Sequence, residues 1–267
     1  MRIRSLVCAL VLLAVMPGSA AAHHHSLQPR RDDSAAAGGE GSSAGVSATT
    51  TQVGVDDEQG RFYTVAAELY LRLGARWALT LRAPVHHLEM DGAGAEDGVG
   101  DLGVGVRASA ALAGWDGSAG VDLLLPTGDA ALGLGHGDLT AAVGAQLTHR
   151  LGRGWRAGGQ LVALADLTDR DPGTTVVIEH RSDAELRAAA LASWTGSQLR
   201  AGGELRLVAP LAPSASRGHL YPTAAAELAM RTTDRTWLGL SAEIPLSSAR
   251  QLDWQAGLAL AYQFDDG

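Results

Sequence analysis

The sequence predicts an all-β fold: a single antiparallel transmembrane β-barrel of about twelve strands, with ten to fourteen compatible. Three observations predict it. From Val46 onward apolar and polar residues alternate with a period of two, as successive side chains of a strand do. The connections between these segments alternate between long and short, the pattern of an even-stranded barrel with long extracellular loops and short periplasmic turns. No segment after the N-terminus is apolar for the roughly 18 residues that a membrane helix requires.

The N-terminus reads as an export signal. Arg2 and Arg4 form its charged start, Leu6 to Met16 its apolar stretch, and Ala20-Ala21-Ala22 its cleavage site. The apolar stretch is too short to cross about 30 Å of hydrocarbon. Residues 1–22 are therefore expected to be removed on export to the outer membrane of a Gram-negative bacterium. Residues 23–45 are poor in apolar side chains and rich in Ala, Gly and Ser, which predicts a flexible leader. The barrel is expected to occupy 46–267. The only cysteine, Cys8, lies in the signal, so the mature chain has no disulfide. Without the signal, 19 arginines and no lysine face 29 acidic residues, a net charge of −10. That balance, with no basic run, argues against a nucleic-acid partner. The expected partners are outer-membrane lipid and a small-molecule solute, and no cofactor is expected.

Twelve segments carry the alternation: 47–56, 61–73, 76–88, 100–113, 118–126, 137–150, 155–167, 183–195, 198–209, 220–231, 236–245 and 253–264. In 61–73, Tyr63, Val65, Ala67, Leu69, Leu71 and Leu73 form one face; Thr64, Ala66, Glu68, Tyr70 and Arg72 form the other. Most segments have roughly the 9–11 residues of a tilted membrane strand. The longer connections are 57–60, 89–99, 127–136, 168–182, 210–219 and 246–252. The shorter ones are 74–75, 114–117, 151–154, 196–197 and 232–235. Trp77, Trp155, Trp194, Tyr262 and Phe264 fall on the apolar face near the short turns, where an interfacial girdle belongs.

The polar face carries the charges, and these are the candidate lumen-lining residues. Asp101, Asp138, Asp166, Asp183, Glu185, Glu243 and Asp253 are expected toward the extracellular end. Arg72, Arg150, Arg156, Arg200 and Arg231 are expected toward the periplasmic end. Glu68, Arg82, Arg107, Asp122, Arg187, Glu204, Arg206 and Glu227 lie between them, mixed in sign. Buried charges must pair or meet water, so the middle is either cross-braced or a narrow wet constriction.

Leu123 to Leu139 (LLLPTGDAALGLGHGDL) reads as a strand, a loop and the next strand. Pro126 ends the pairing because it has no N–H to give. Residues 127–136 are then an extracellular loop. Together with Gly98 to Val106 (GVGDLGVGV) and Val121 to Asp129 (VDLLLPTGD), the Gly133-to-Asp138 run GLGHGD resembles the MetA-pathway-of-phenol-degradation family. The match covers about Gly98 to Leu147. The resemblance implies an outer-membrane barrel passing small, often aromatic or apolar, compounds, with no catalytic residue.

Other motifs carry less. Gly98 to Gly103 matches G-x-G-x-x-G, but a dinucleotide site requires a helix after it and a strand pattern follows instead. His23-His24-His25 has metal-ligand chemistry but no fixed geometry. His86 and His87 point to opposite faces of one strand. Asp129, His136 and Asp138 at the rim are the residues of an alternative reading, an outer-membrane hydrolase in which acid and imidazole groups activate water. A further alternative is a non-conducting barrel that presents its loops to partners.

Overall fold

The structure, a computed structural model, describes residues 41–55, 58–90, 94–168, 184–211, 220–247 and 254–264. The expected signal, His23-His24-His25, most of the leader, Asp183 and Asp253 lie outside the described residues. Thirteen strands follow one another: β1 Ser43–Val55, β2 Glu58–Leu73, β3 Trp77–Met90, β4 Gly94–Val99, β5 Leu102–Leu112, β6 Trp115–Leu125, β7 Thr140–Gly152, β8 Trp155–Asp166, β9 Ala184–Thr195, β10 Leu199–Pro210, β11 Tyr221–Arg231, β12 Thr236–Pro245 and β13 Trp254–Gln263.

From β5 to β13 each strand pairs antiparallel with the next. β1 then pairs with β13 as well as β2, and β2 pairs with β3, which closes the sheet. The thirteen strands occupy twelve positions, because β4 and β5 share one edge of β3. Val85 to Met90 of β3 pair with β4, while Trp77 to Arg82 pair with β5. Between them the register slips by one residue, from Val85↔Val99 to Arg82↔Gly103. This is a β-bulge at Gly100-Asp101, and such an extra residue redirects the chain beside it.

Closure satisfies the backbone without water, which is why a barrel is one of the two structures that can cross hydrocarbon. The period-two pattern decides which wall faces out. Large apolar side chains stand half exposed around the barrel, among them Val143 (55%), Leu205 (60%) and Leu240 (57%). A soluble protein rarely leaves so continuous an apolar surface in water. Trp77, Trp115, Trp155, Tyr262 and Phe264 are exposed near the short-turn end of this belt. On the inner face Ala66, Thr64, Ala142, Thr148 and Glu204 are buried.

Three expectations are corrected. The first strand starts at Ser43, not 47, because its small hydroxyl and glycine residues pair with both β2 and β13. The barrel therefore begins inside the expected leader. The 89–99 connection is largely strand, since β3 runs to Met90 and returns as β4. The turn expected at 114–117 is shorter. Ala113 and Gly114, both at positive φ, make the reversal, and Trp115 already pairs with Leu112.

Candidate functional site

The loop 126–139, between β6 and β7, folds inward over the long-loop end, where Leu134 packs on the inner wall. Its conformation is built from the residues of the PTGD and glycine runs. Thr127 Oγ1 donates to the Gly100 carbonyl (3.0 Å) and accepts from the Leu102 amide (3.0 Å), so it bridges the two sides of the bulge. Asp129 accepts from the Ala131 amide at 2.9 Å and caps a 3-10 turn, Ala130–Leu132. Gly133, at φ 71°, ends that turn in the left-handed region that glycine enters without cost.

The bulge turns Asp101 under the loop. Its Oδ1 accepts from the Gly128 amide at 2.9 Å and its Oδ2 from the His136 amide at 2.7 Å. One carboxylate thereby satisfies both ends of the loop, and it is 3% exposed. Bonds from amides to an ionised acceptor are stronger than neutral ones. Gly128 and Gly135 cross in contact. A Cβ on Gly128 would lie 2.6 Å from the Leu134 carbonyl oxygen and 2.8 Å from Gly135 Cα.

The tip of the loop carries Leu134, which is 2% exposed. It packs with Phe62 of β2 and with Leu88 and Met90 of β3, all on the inner wall at the long-loop end. Gly98 and Gly100 leave the space. A Cβ on Gly98 would stand 2.6 Å from Leu134 Cδ1, and one on Gly100 would collide with the His86 ring. His86 points inward, bonded through Nδ1 to Thr64 Oγ1 (2.9 Å) and tilted against Phe62 at 4.6 Å. His87 points outward, as the alternation requires, and bonds Asp97 (2.6 Å) and Glu89 (3.2 Å).

Below the loop the inward charges meet in pairs. Ser47 donates to Glu68, which lies 3.8 Å from Arg82. Arg107 lies 3.7 Å from Asp122. Arg206 bonds Glu204 (2.8 Å), two residues away on the same face, and Glu243 across the sheet (3.0 Å). Arg187 bonds Glu185 in the same i, i+2 manner. Thr140 donates to Asp166 at 2.6 Å. At the short-turn end Asp116 takes both prongs of Arg150 (2.8 and 2.7 Å) and lies 3.9 Å from Arg156. Arg200 and Arg231 flank the inward Trp237, with their guanidinium carbons 3.9 and 5.0 Å from its ring centre.

Most of the expected lumen-lining residues occupy the inner face as the pattern requires. Three do not behave as expected. Asp101 is covered by the loop because the bulge adds a residue at that point. Asp138 precedes β7, which starts at Thr140, and accepts instead from Thr168 at the rim (2.9 Å). Arg72 Nε turns to the Gly74 carbonyl of the adjacent turn (3.0 Å). Glu227 stays on the inner face, where a Cβ on Gly202 would meet its carboxylate. Asp116 escaped the sequence reading because it was assigned to a turn; continuing the alternation back from Asp122 through Gly120 and Ser118 finds it.

Of the rim residues of the hydrolase alternative, Asp129 caps a turn, Asp138 accepts from Thr168, and the His136 amide donates to Asp101. The G-x-G-x-x-G run passes from the end of β4 across the bulge into β5, so a strand and not a helix follows it. Among the described residues, no three His, Cys, Asp or Glu side chains are grouped to hold a metal, and no helix is long and apolar enough to cross a membrane.

A closed antiparallel barrel with an apolar outer belt, an aromatic girdle and charges inside has the architecture of the outer-membrane β-barrels. Solved structures agree. The chain is similar to the COG4313 outer membrane channel from Pseudomonas putida F1, with 16% identity and a TM-score of 0.70 over 84% of this chain and 96% of that one. It is also similar to the NanC porin (10%, TM-score 0.54, 83% and 99% covered). The transport unit of the autotransporter AIDA-I from Escherichia coli shares the fold too (10%, 0.53, 91% and 93%). No family model and no curated protein matches the sequence.

Proposed function

We propose that this chain is a passive channel or facilitator of the outer membrane, and not an enzyme. It carries small solutes, aromatic or apolar ones among them, along a path inside the barrel. The observation that carries the reading is the loop 126–139. It lies over a charged interior and is held by the Thr127 hydroxyl, the Asp101 carboxylate and the Leu134 side chain, contacts that can all be released without breaking a strand pairing. Glu68, Arg82, Arg107, Asp122, Arg187, Glu204 and Arg206 line the middle of the path, with Arg150, Arg156, Arg200 and Arg231 at its short-turn end. The channel and porin among the similar structures support the reading only as to fold, since an autotransporter shares it.

The test is current across a planar lipid bilayer holding the folded protein. Conductance that rises when the loop is released supports a channel. A barrel that stays silent with the loop released supports the second reading, a non-conducting barrel, which the pairing of its inner charges favours.

A further inference from the structure

The inner wall carries two buried apolar clusters among its polar groups; Ala142, Val162 and Leu164 come from the strands β7 and β8 alone, whereas the second is completed by a loop. Phe62, Leu88 and Met90 form an apolar recess at the long-loop end, and Leu134 fills it from the loop. No strand supplies that fourth side chain. The occupant belongs to a loop otherwise fixed by the bonds of its Thr127 hydroxyl to Gly100 and Leu102 and of its Gly128 and His136 amides to Asp101. A recess inside a water-facing wall that takes an isobutyl group from a separate segment fits a free group of the same shape. A ligand can shift the loop only by binding one of its two states better, and competition for the recess does that.

We propose that the recess of Phe62, Leu88 and Met90 is a binding site for a compact branched apolar group on a solute, and that the solute enters it by displacing Leu134. Displacement lifts the loop from Asp101 and opens the long-loop end. The proposal rests on the channel reading and gives that channel a recognition step. It also accounts for Gly98, whose missing side chain leaves the space that Leu134 Cδ1 occupies.

The probe is isovaleramide, an isobutyl group on a neutral, soluble amide, with acetamide as its control. A spin label on Ala131→Cys reports loop order in the otherwise cysteine-free mature chain; Ala131 is an exposed position of the loop. Isovaleramide should raise the mobile fraction saturably, at a concentration at least about tenfold below acetamide, since it buries three more carbons. With Leu134→Asn added, the label should be mobile without probe and indifferent to it. An equal response to both amides, or none to isovaleramide, overturns the proposal.

A second variant gives an independent readout. An ideal Cβ at Gly98 lies 4.0 Å from Leu134 Cβ, within disulfide range. Gly98→Cys with Leu134→Cys should conduct at least about tenfold less when oxidised than after dithiothreitol. Oxidation without effect on current would mean that Leu134 does not govern opening. The two readings fail separately. A barrel that conducts but whose label ignores isovaleramide loses the recess and keeps the channel. One whose label responds but which never conducts loses the channel.

Discussion

At the long-loop end the groups that meet over the interior are two backbone amides, the Asp101 carboxylate and the isobutyl group of Leu134. At the short-turn end they are the guanidiniums of Arg150, Arg156, Arg200 and Arg231, the Asp116 carboxylate and the Trp237 indole. The first set acts at contact range, through two hydrogen bonds to one carboxylate and the packing of one apolar side chain. The second set gathers several charges at the short-turn end, and charged walls of this kind concentrate counter-ions. On the channel reading proposed above, the long-loop end controls whether a solute passes, and the short-turn end biases which ions go with it. The two contributions separate by salt. Contact closure is indifferent to it, while the charged mouth weakens as the Debye length falls from about 10 Å at 0.1 M to about 3 Å at 1 M.

The largest expected effect comes from Asp101→Ala. Two part-buried amides lose their acceptor, and a fully buried unsatisfied donor costs about 1–3 kcal/mol. Even about 2 kcal/mol in total shifts the loop's equilibrium outward about 30-fold. Bilayer recordings should show higher open probability at every salt concentration. A variant with wild-type current would mean that Asp101 is not what holds the loop. Gly128→Ala should act in the same direction but less, since its Cβ would press on the Leu134 carbonyl and Gly135 while leaving the carboxylate in place.

The contrast between the ends also marks what the sequence could say. The strand faces were legible because alternation is local; each residue's side follows from its neighbours. It predicted that Arg200 and Arg231 share an inner wall and that Trp155 and Trp77 stand outside. The loop was not legible in this way. Its anchors join residues 27 and 35 positions apart, Gly128 and His136 to Asp101. The one-residue slip that aims Asp101 beneath the loop leaves no trace in a period-two count. The glycines were visible as a motif, but their spacing gave no hint that Gly98 and Gly100 vacate room for Leu134 and His86. Asp116 was lost for a smaller reason, a turn drawn two residues too wide.

Selectivity should change less than opening does. Asp116 faces both Arg150 and Arg156, so Asp116→Asn removes one negative charge from beside two guanidiniums at the short-turn end. Reversal potentials in a salt gradient should shift toward anions at 0.1 M and converge on wild type at 1 M. Replacing Arg72, Arg150 and Arg200 together by Gln should shift them toward cations and lessen rectification. The pairs Arg107–Asp122 and Arg206–Glu243 keep both shifts modest, because the middle of the path is mixed in sign. A shift that persists at 1 M would place its origin away from the exposed mouth.

The smallest effect on passage, and a distinct one, is expected outside the wall. Phe264 follows β13, and its amide still pairs with the Ser42 carbonyl at 2.8 Å. Its ring meets Tyr262 edge-on at 5.5 Å, with both side chains about 40% exposed on the outer face. Such a pair contributes about 0.5–1.5 kcal/mol beyond its buried area. An aromatic at this level also anchors the strand at the lipid interface. Phe264→Ala should therefore lower the folded, heat-modifiable fraction about two- to fivefold when insertion is limiting. The current of each inserted barrel should stay unchanged, because neither mouth is touched. Unaltered folding yield would remove the last strand's aromatic pair from assembly, and altered current would tie the outer wall to the path inside.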